Sequence, residues 1–305
     1  MLDFLRSEGI NEDIIEKLGD FRKTYPPEGK DLSRIPSPKF RYYGKEIWEK
    51  ALIALLSGEN ILLVGAKATG KNVLAENLAA VFNRPAWDIS FYLNTDAASL
   101  IGTDTFRSGE VRFRKGPVTQ CAEEGGFGVL DEINMAKNES LAVLHATLDF
   151  RRIIDVPGYD RIVLKPCTRF IATMNYGYAG TRELNEALAS RFMVINVPVI
   201  SEENLGKLIK SQFPALKQEY SKQLAGLFED VRKKCENSEI STKALDLRGL
   251  LAAISLVENG LSLGQALELG IVNKSFDDFE RLLVSDMITA RIDGSLSRSD
   301  LFDHE

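Results

Sequence analysis

The aliphatic run Ile61-Leu62-Leu63-Val64 leads straight into Gly65-Ala66-Lys67-Ala68-Thr69-Gly70-Lys71-Asn72. Four consecutive aliphatic residues read as a buried strand. The glycine-bounded segment after them reads as a tight loop that opens a helix over Asn72 to Phe82. Such a loop turns backbone N–H groups inward. Together with the positive end of the helix dipole, they cradle phosphate oxygens. Residues Gly65, Ala66, Lys67, Ala68, Thr69, Gly70, Lys71, Asn72 and Val73 are therefore the expected phosphate-binding segment, and Lys71 is placed to reach the outer phosphates. The plain structural alternative is a strand–turn–helix corner that binds nothing. The motifs further along the chain weigh against it.

The position after Lys71 ordinarily carries Ser or Thr, whose hydroxyl holds Mg²⁺. Here it is Asn72. An amide oxygen can also hold a hard cation. The substitution raises the question of whether the chain turns over a nucleotide or only retains one.

A chain of 305 residues is long enough for a large α/β core plus a smaller second unit. No stretch approaches the length of apolar sequence that a membrane span needs. Met1-Leu2-Asp3-Phe4-Leu5 lacks the basic-then-apolar order of a signal peptide. Cys121, Cys167 and Cys235 are widely spaced, with no metal-ligand rhythm, which fits a reducing cytoplasm. With only His145 and His304, histidine-based catalysis or zinc binding is disfavoured. A net charge of −6 argues against a broad nucleic-acid surface.

Residues 1–40 are polar and carry Pro26, Pro27, Pro36 and Pro38. They read as an N-terminal extension with one short helix, Asn11 to Tyr25, and an extended arm. Ile47 to Leu56 has helical apolar spacing ending at Ser57-Gly58. Strand signals follow at Ile61–Val64, Trp87–Phe91, Gly128–Leu130, Arg169–Thr173 and Met193–Val197, with helical patterns between most of them. That alternation predicts an α/β core over 41–200: a parallel five-stranded sheet covered by helices on both faces. Two segments break the rhythm. Thr105 to Lys115 turns at Ser108-Gly109 and Arg152 to Leu164 turns at Pro157-Gly158, and both read as inserted β-hairpins. From Ser201 the pattern is almost wholly helical, giving a second domain over 201–295 and a tail over 296–305.

Three further motifs carry chemistry. Gly128-Val129-Leu130-Asp131-Glu132 ends a hydrophobic strand in adjacent carboxylates, whose side chains must diverge. Asp131 suits a metal ligand and Glu132 suits a base that deprotonates water; a solvated strand end is the alternative. Arg169 to Asn175 is an apolar strand ending in an amide, where a parallel sheet lines its ligand crevice. Asn175 could orient the attacking water, or simply begin the Asn-Tyr-Gly turn. Arg191, at the end of Leu184 to Phe192, could reach a neighbouring subunit's phosphates, with Arg182 as its rival; a surface ion pair is the alternative for either.

Taken together, these motifs resemble an AAA+ ATPase of the MoxR-like branch, a dynein-related group of P-loop NTPases, over residues 40–295. The resemblance rests on the loop 65–72, Gly126 to Ala136 (GFGVLDEINMA), Ala172 to Asn175 (ATMN) and Glu186 to Phe192 (EALASRF). It implies an αβα sandwich followed by an all-helical lid domain, with ATP and Mg²⁺ as ligands. Lys71 becomes the Walker A lysine, Asp131 and Glu132 the Walker B pair, Asn175 sensor 1, and Arg191 the arginine finger. Sensor 2 falls on Arg248, with Lys243 as runner-up. Tyr42-Tyr43-Gly44 fall where the family packs adenine, and Tyr43 is the residue taken for that contact. Asn72 and Asp131 become the metal ligands.

The implied function is ATP hydrolysis by a homo-oligomeric, hexameric ring that remodels a protein client, a von Willebrand factor A-domain protein in that branch. The sequence departs from the family at Ala68, where Gly is usual, and at Asn72. The competing reading is a nucleotide-binding interaction module with weak or no hydrolysis. A third reading, nucleic-acid work, is motivated only by the basic-aromatic hairpin around Phe106 and Arg112-Phe113-Arg114-Lys115.

Overall fold

A computed structural model of the chain describes residues 1–107, 109–176 and 183–303. The chain divides into two compact units, Met1–Pro198 and Val199–Glu305.

In the first unit the elements run α1 (Leu2–Ser7), α2 (Glu12–Thr24), α3 (Lys45–Leu56), β1 (Ile61–Gly65), α4 (Lys71–Phe82), β2 (Ala86–Ser90) and α5 (Ala97–Ile101). They continue β3 (Gly102–Arg107), β4 (Glu110–Lys115), α6 (Pro117–Glu124), β5 (Phe127–Asp131), α7 (Asn138–Leu141), α8 (His145–Leu148), β6 (Ile153–Ile154), β7 (Ile162–Val163), β8 (Arg169–Asn175), α9 (Glu186–Ala189) and β9 (Met193–Asn196). Five of these strands form one sheet in the order β2-β5-β8-β1-β9, with every pairing parallel. This is the α/β sandwich of a P-loop NTPase. The expected strand positions agree with the observed ones to within a residue or two.

Alternation along the strands sorts side chains into two cores. Ile61, Leu63, Phe127, Val129 and Ile171 face α1–α4. Leu62, Val64, Leu130, Phe170 and Ala172 face α5–α9. The N-terminal segment takes part in the first core. Besides the expected helix, α2, there is a further one, α1, whose Leu5 is fully buried. Ile14, Ile15, Leu18 and Phe21 of α2 form its apolar face, and Phe21 meets Phe82 of α4 edge-on at 5.0 Å. Carbonyls in the last turn of α4 accept from Arg22: Nε to Val81 O at 2.7 Å and Nη2 to Ala80 O at 3.2 Å.

The inserted hairpins are β3–β4, paired Phe106↔Val111 near the turn, and the short β6–β7. They are joined to each other: Tyr159 Oη donates to Asp104 Oδ1 at 2.5 Å, and its ring packs on Phe113.

The second unit is helical: α10 (Glu202–Gln212), α11 (Gln218–Glu236), α12 (Leu247–Glu258), α13 (Leu263–Gly270), α14 (Asp278–Arg291) and α15 (Arg298–Leu301). The sequence pattern places a helix from Ser241, but α12 begins six residues later. The Asp246 side chain accepts from the Arg248 N–H and fixes the N-terminus there. Glu280 fastens the segment before it, accepting from the Ser241 N–H at 2.8 Å and from the Ser275 hydroxyl. No described helix is long and apolar enough to cross a membrane.

Gly128 lies where the sheet has no room for a side chain: a Cβ there would sit 2.5 Å from Cδ1 of Phe170. Both residues belong to the core against α6. Gly128→Ala is expected to destabilise the first unit by about 1–3 kcal/mol, as overpacking a filled core does. Urea unfolding, followed by the fluorescence of Trp48 and Trp87, measures it.

Candidate functional site

The C-terminal ends of β1, β5 and β8 bring the sequence-marked residues together. Gly65 ends β1 beside β9, where a Cβ would lie 2.5 Å from Val197 O; the close approach of two backbones requires glycine. The loop then turns with Ala68 at φ 63° and Gly70 at φ 82°. Both are left-handed, and at Ala68 the Cβ costs about 1–2 kcal/mol that glycine would not. The strain sits in the segment that the sequence marks as phosphate-binding.

Lys71 opens α4 and folds back over this loop. Its ammonium donates to Gly65 O at 3.0 Å, Ala66 O at 2.7 Å and Thr69 Oγ1 at 3.3 Å. The side chain is buried, and burial pushes its pKa down to about 8, against the pull of Asp131 and Glu132. Two carbonyls and one hydroxyl of the loop itself solvate this charge.

Asn72 lies beside Asp131: its Nδ2 donates to Asp131 Oδ2 at 3.0 Å. Thr173 Oγ1 donates to the other carboxylate oxygen, Oδ1, at 2.6 Å. Asp131 thus accepts one hydrogen bond on each oxygen and keeps lone pairs on both. Nearby on β2, Asp88 titrates above its ordinary range because it is desolvated and near Asp131, an effect that Arg34 partly offsets.

Glu132 leaves the strand with φ 54°, a left-handed conformation unusual for a non-glycine residue. The turn sends its carboxylate away from that of Asp131. Asn175 Nδ2 donates to Glu132 Oε1 at 3.0 Å. Asn175 is itself steadied through its backbone, since Asn134 Nδ2 donates to Asn175 O at 2.9 Å.

These residues could hold a divalent cation. Asp131 offers a carboxylate. The nitrogen of the Asn72 amide is committed to Asp131, and among the described residues nothing donates to its oxygen. Oxygen donors of this kind suit Mg²⁺.

Of the tyrosines before α3, Tyr42 lies against the loop, its ring 3.4 Å from where a Gly70 Cβ would be. Burial pushes its phenol up to about 12. Tyr43, the residue taken from the sequence, packs edge-on against Phe4 at 5.4 Å.

Arg191 is held by its own chain. It donates to His145 O at 3.1 Å, to Ala187 O, and to Asp149 Oδ2 at 3.4 Å. Hydrogen bonding from Arg151, with a contribution from Arg191, pulls Asp149 down to about 2. Arg182 lies outside the described residues. Arg248 is exposed in the first turn of α12, and Lys243 sits over the Phe276 ring at 5.8 Å; both belong to the second unit.

Sequence reasoning passed over Thr173 and Asn134. The signal for Thr173 was present: a hydroxyl inside an apolar strand, two residues before Asn175 and so on the same face.

Comparison with known proteins adds a family. Residues 60–192 match the family described as AAA domain (dynein-related subfamily). The uncharacterized protein YojN of Bacillus subtilis (strain 168) is 35% identical over 280 residues, covering 90% of this chain and 91% of that protein. An uncharacterized protein of Staphylococcus haemolyticus (strain JCSC1435) is 34% identical over 245 residues, covering 78% of this chain and 92% of its own length.

Proposed function

The chain belongs to the dynein-related subfamily of AAA domains, and from that premise we propose that it binds ATP with Mg²⁺ and hydrolyses it to ADP and phosphate, driving the remodelling of a protein partner. The observation that carries the reading is the Glu132–Asn175 hydrogen bond of 3.0 Å, set beside a phosphate-type loop and its buried Lys71. A site that only stored nucleotide would not need a carboxylate aimed by an amide.

Each residue of the site then has a proposed role. Backbone N–H groups of Gly65 to Val73 and the Lys71 ammonium bind the phosphates, and Tyr42 or Tyr43 closes the side near the base. Asn72 and Asp131 hold Mg²⁺, which when bound offsets the charge of the outer phosphates. Glu132 takes a proton from water on its carboxylate while Asn175 orients the pair. The water oxygen bonds to the γ-phosphorus, and the bond to the β-phosphate oxygen breaks. Arg191, with N–H donors to spare beyond its three acceptors, serves a neighbouring subunit's nucleotide. That requires an oligomer, and a ring of six is the arrangement proposed. The helical unit acts as a lid, contributing Arg248 or Lys243. A von Willebrand factor A-domain protein is the client suggested by the MoxR-like motifs, and the cytoplasm the proposed location.

A second reading has its own support. Asn72 meets Asp131 through nitrogen, so its contact with a cation is weaker than a hydroxyl's, and slow turnover would make the chain a nucleotide-dependent interaction module. Mg²⁺-dependent phosphate release by concentrated wild-type protein separates the two; none at all favours the module.

Four positions carry expected outcomes. Lys71→Ala lowers ATP affinity about tenfold or more in calorimetry, the loss of at least one charge-assisted contact; Glu132→Gln keeps ATP affinity and stalls phosphate release. The reading of the loop does not survive unchanged affinity in Lys71→Ala.

Asn72 is tested by titrating Mg²⁺ against ATPase rate at saturating ATP. Asn72→Thr should shift the midpoint to lower Mg²⁺ and Asn72→Ala to higher. Superimposable curves would remove Asn72 from the metal.

Mixing Arg191→Ala chains with Glu132→Gln chains should restore part of the ATPase, because some interfaces then pair an intact Arg191 with an intact Glu132. Full activity of Arg191→Ala alone would exclude it as the finger.

A further inference from the structure

Thr173 lies in the middle of the site, on β8 beside the acidic pair. It is 1% exposed. Its hydroxyl makes two hydrogen bonds across to the neighbouring strand end. It donates to Asp131 Oδ1 at 2.6 Å and accepts from the Glu132 N–H at 3.1 Å. One side-chain oxygen therefore contacts both members of the acidic pair.

The reason lies in the ladder. The β5–β8 pairing ends at Leu130↔Ala172. On the other side of β5 the ladder continues one residue further, to Ser90↔Asp131, and the Phe91 N–H donates to Asp131 O at 2.9 Å. Beyond that point Glu132 turns left-handed and its N–H has no strand carbonyl to meet. A partly buried N–H without a partner costs about 1–3 kcal/mol. The Thr173 hydroxyl supplies the acceptor and so holds the strained turn in place. The same hydroxyl spends its single proton on Asp131, which fixes that side chain toward Asn72. Thr173 also pairs with Leu63 in the central strand β1, so its position is set by the sheet and not by a loop.

We infer that Thr173 is the positioning residue of this site: it couples the orientation of the metal-holding carboxylate, Asp131, to the backbone turn that aims the water-activating carboxylate, Glu132. The inference rests on the proposed roles of those two residues. It predicts that loss of the hydroxyl loosens both together, while the loop's grip on phosphate, which runs through Lys71 and backbone N–H groups, is untouched.

The test uses Thr173→Val, which keeps volume and strand preference but deletes the hydroxyl, and Thr173→Ser, which keeps it. Binding of a fluorescent ATP analogue is measured in EDTA and across a Mg²⁺ titration, and phosphate release is measured as kcat and KM separately. Thr173→Val should bind the analogue in EDTA like wild type. Its Mg²⁺ midpoint should rise and its kcat fall, each by roughly 10- to 100-fold, the range for losing a group that orients a metal ligand. Thr173→Ser should recover both. The inference is overturned if Thr173→Val keeps the wild-type Mg²⁺ midpoint, if it also loses binding in EDTA, or if Thr173→Ser is as impaired as Thr173→Val. Should Thr173→Val not fold by circular dichroism, Thr173→Ala is read by the same criteria. If the wild-type protein releases no phosphate, the hydrolytic reading fails by itself, and the Mg²⁺ midpoint of binding still decides the role of Thr173.

Discussion

The site depends on the register of β5 against β8. Phe127 stands opposite Arg169 and Leu130 opposite Ala172. From there Asp131 falls beside Thr173, with Asn175 two residues beyond on the same face. Slip either strand by one residue and its share of these side chains would move to the opposite face of the sheet. Both faces of each strand carry apolar residues and both are covered, so the fit of particular side chains has to choose the register. Gly128 sharpens it, because the Phe170 ring fills the space its side chain would need. The chemistry at the strand ends therefore inherits its precision from the packed middle of the sheet.

The electrostatic arrangement is built around one desolvated cation. Lys71 is buried at the start of a helix, where the dipole already disfavours positive charge. Three oxygen acceptors from its own loop stabilise it, and Asp131 and Glu132 add to the field that favours the charged form.

Much of this was legible in the sequence because it follows from period and punctuation. The strands of the sheet are runs of aliphatic residues bounded by glycine or polar residues. The hairpins turn at Gly109 and Gly158, and the helices of the second unit carry regular apolar spacing. Legibility failed where a residue's role depends on long-range contacts. The early helix α1 is short and weakly patterned; it exists because Leu5 is buried in the first core. The late start of α12 reflects an Asp246 cap outweighing a continuous helical pattern upstream. Thr173 reads as one more β-branched strand residue until the neighbouring strand is in place. Asn72 could be flagged as unusual from its position, but only the geometry reveals that its nitrogen, and not its oxygen, meets Asp131.

Helix α4 is anchored at each end by different chemistry. Its first residue is fastened to the loop through Lys71, and its last carbonyls are gripped by Arg22, with Phe21 wedged against Phe82. Mechanically it is a strut with both feet fixed, one in the site and the other in the N-terminal helices. A strut held in this way cannot slide along its axis without dragging α2. The two anchors lie some 18 Å apart, the length of twelve helical residues, so α4 joins the strained loop between Gly65 and Gly70 to the N-terminal helices. The far foot of that strut rests on α2, through Arg22 and Phe21.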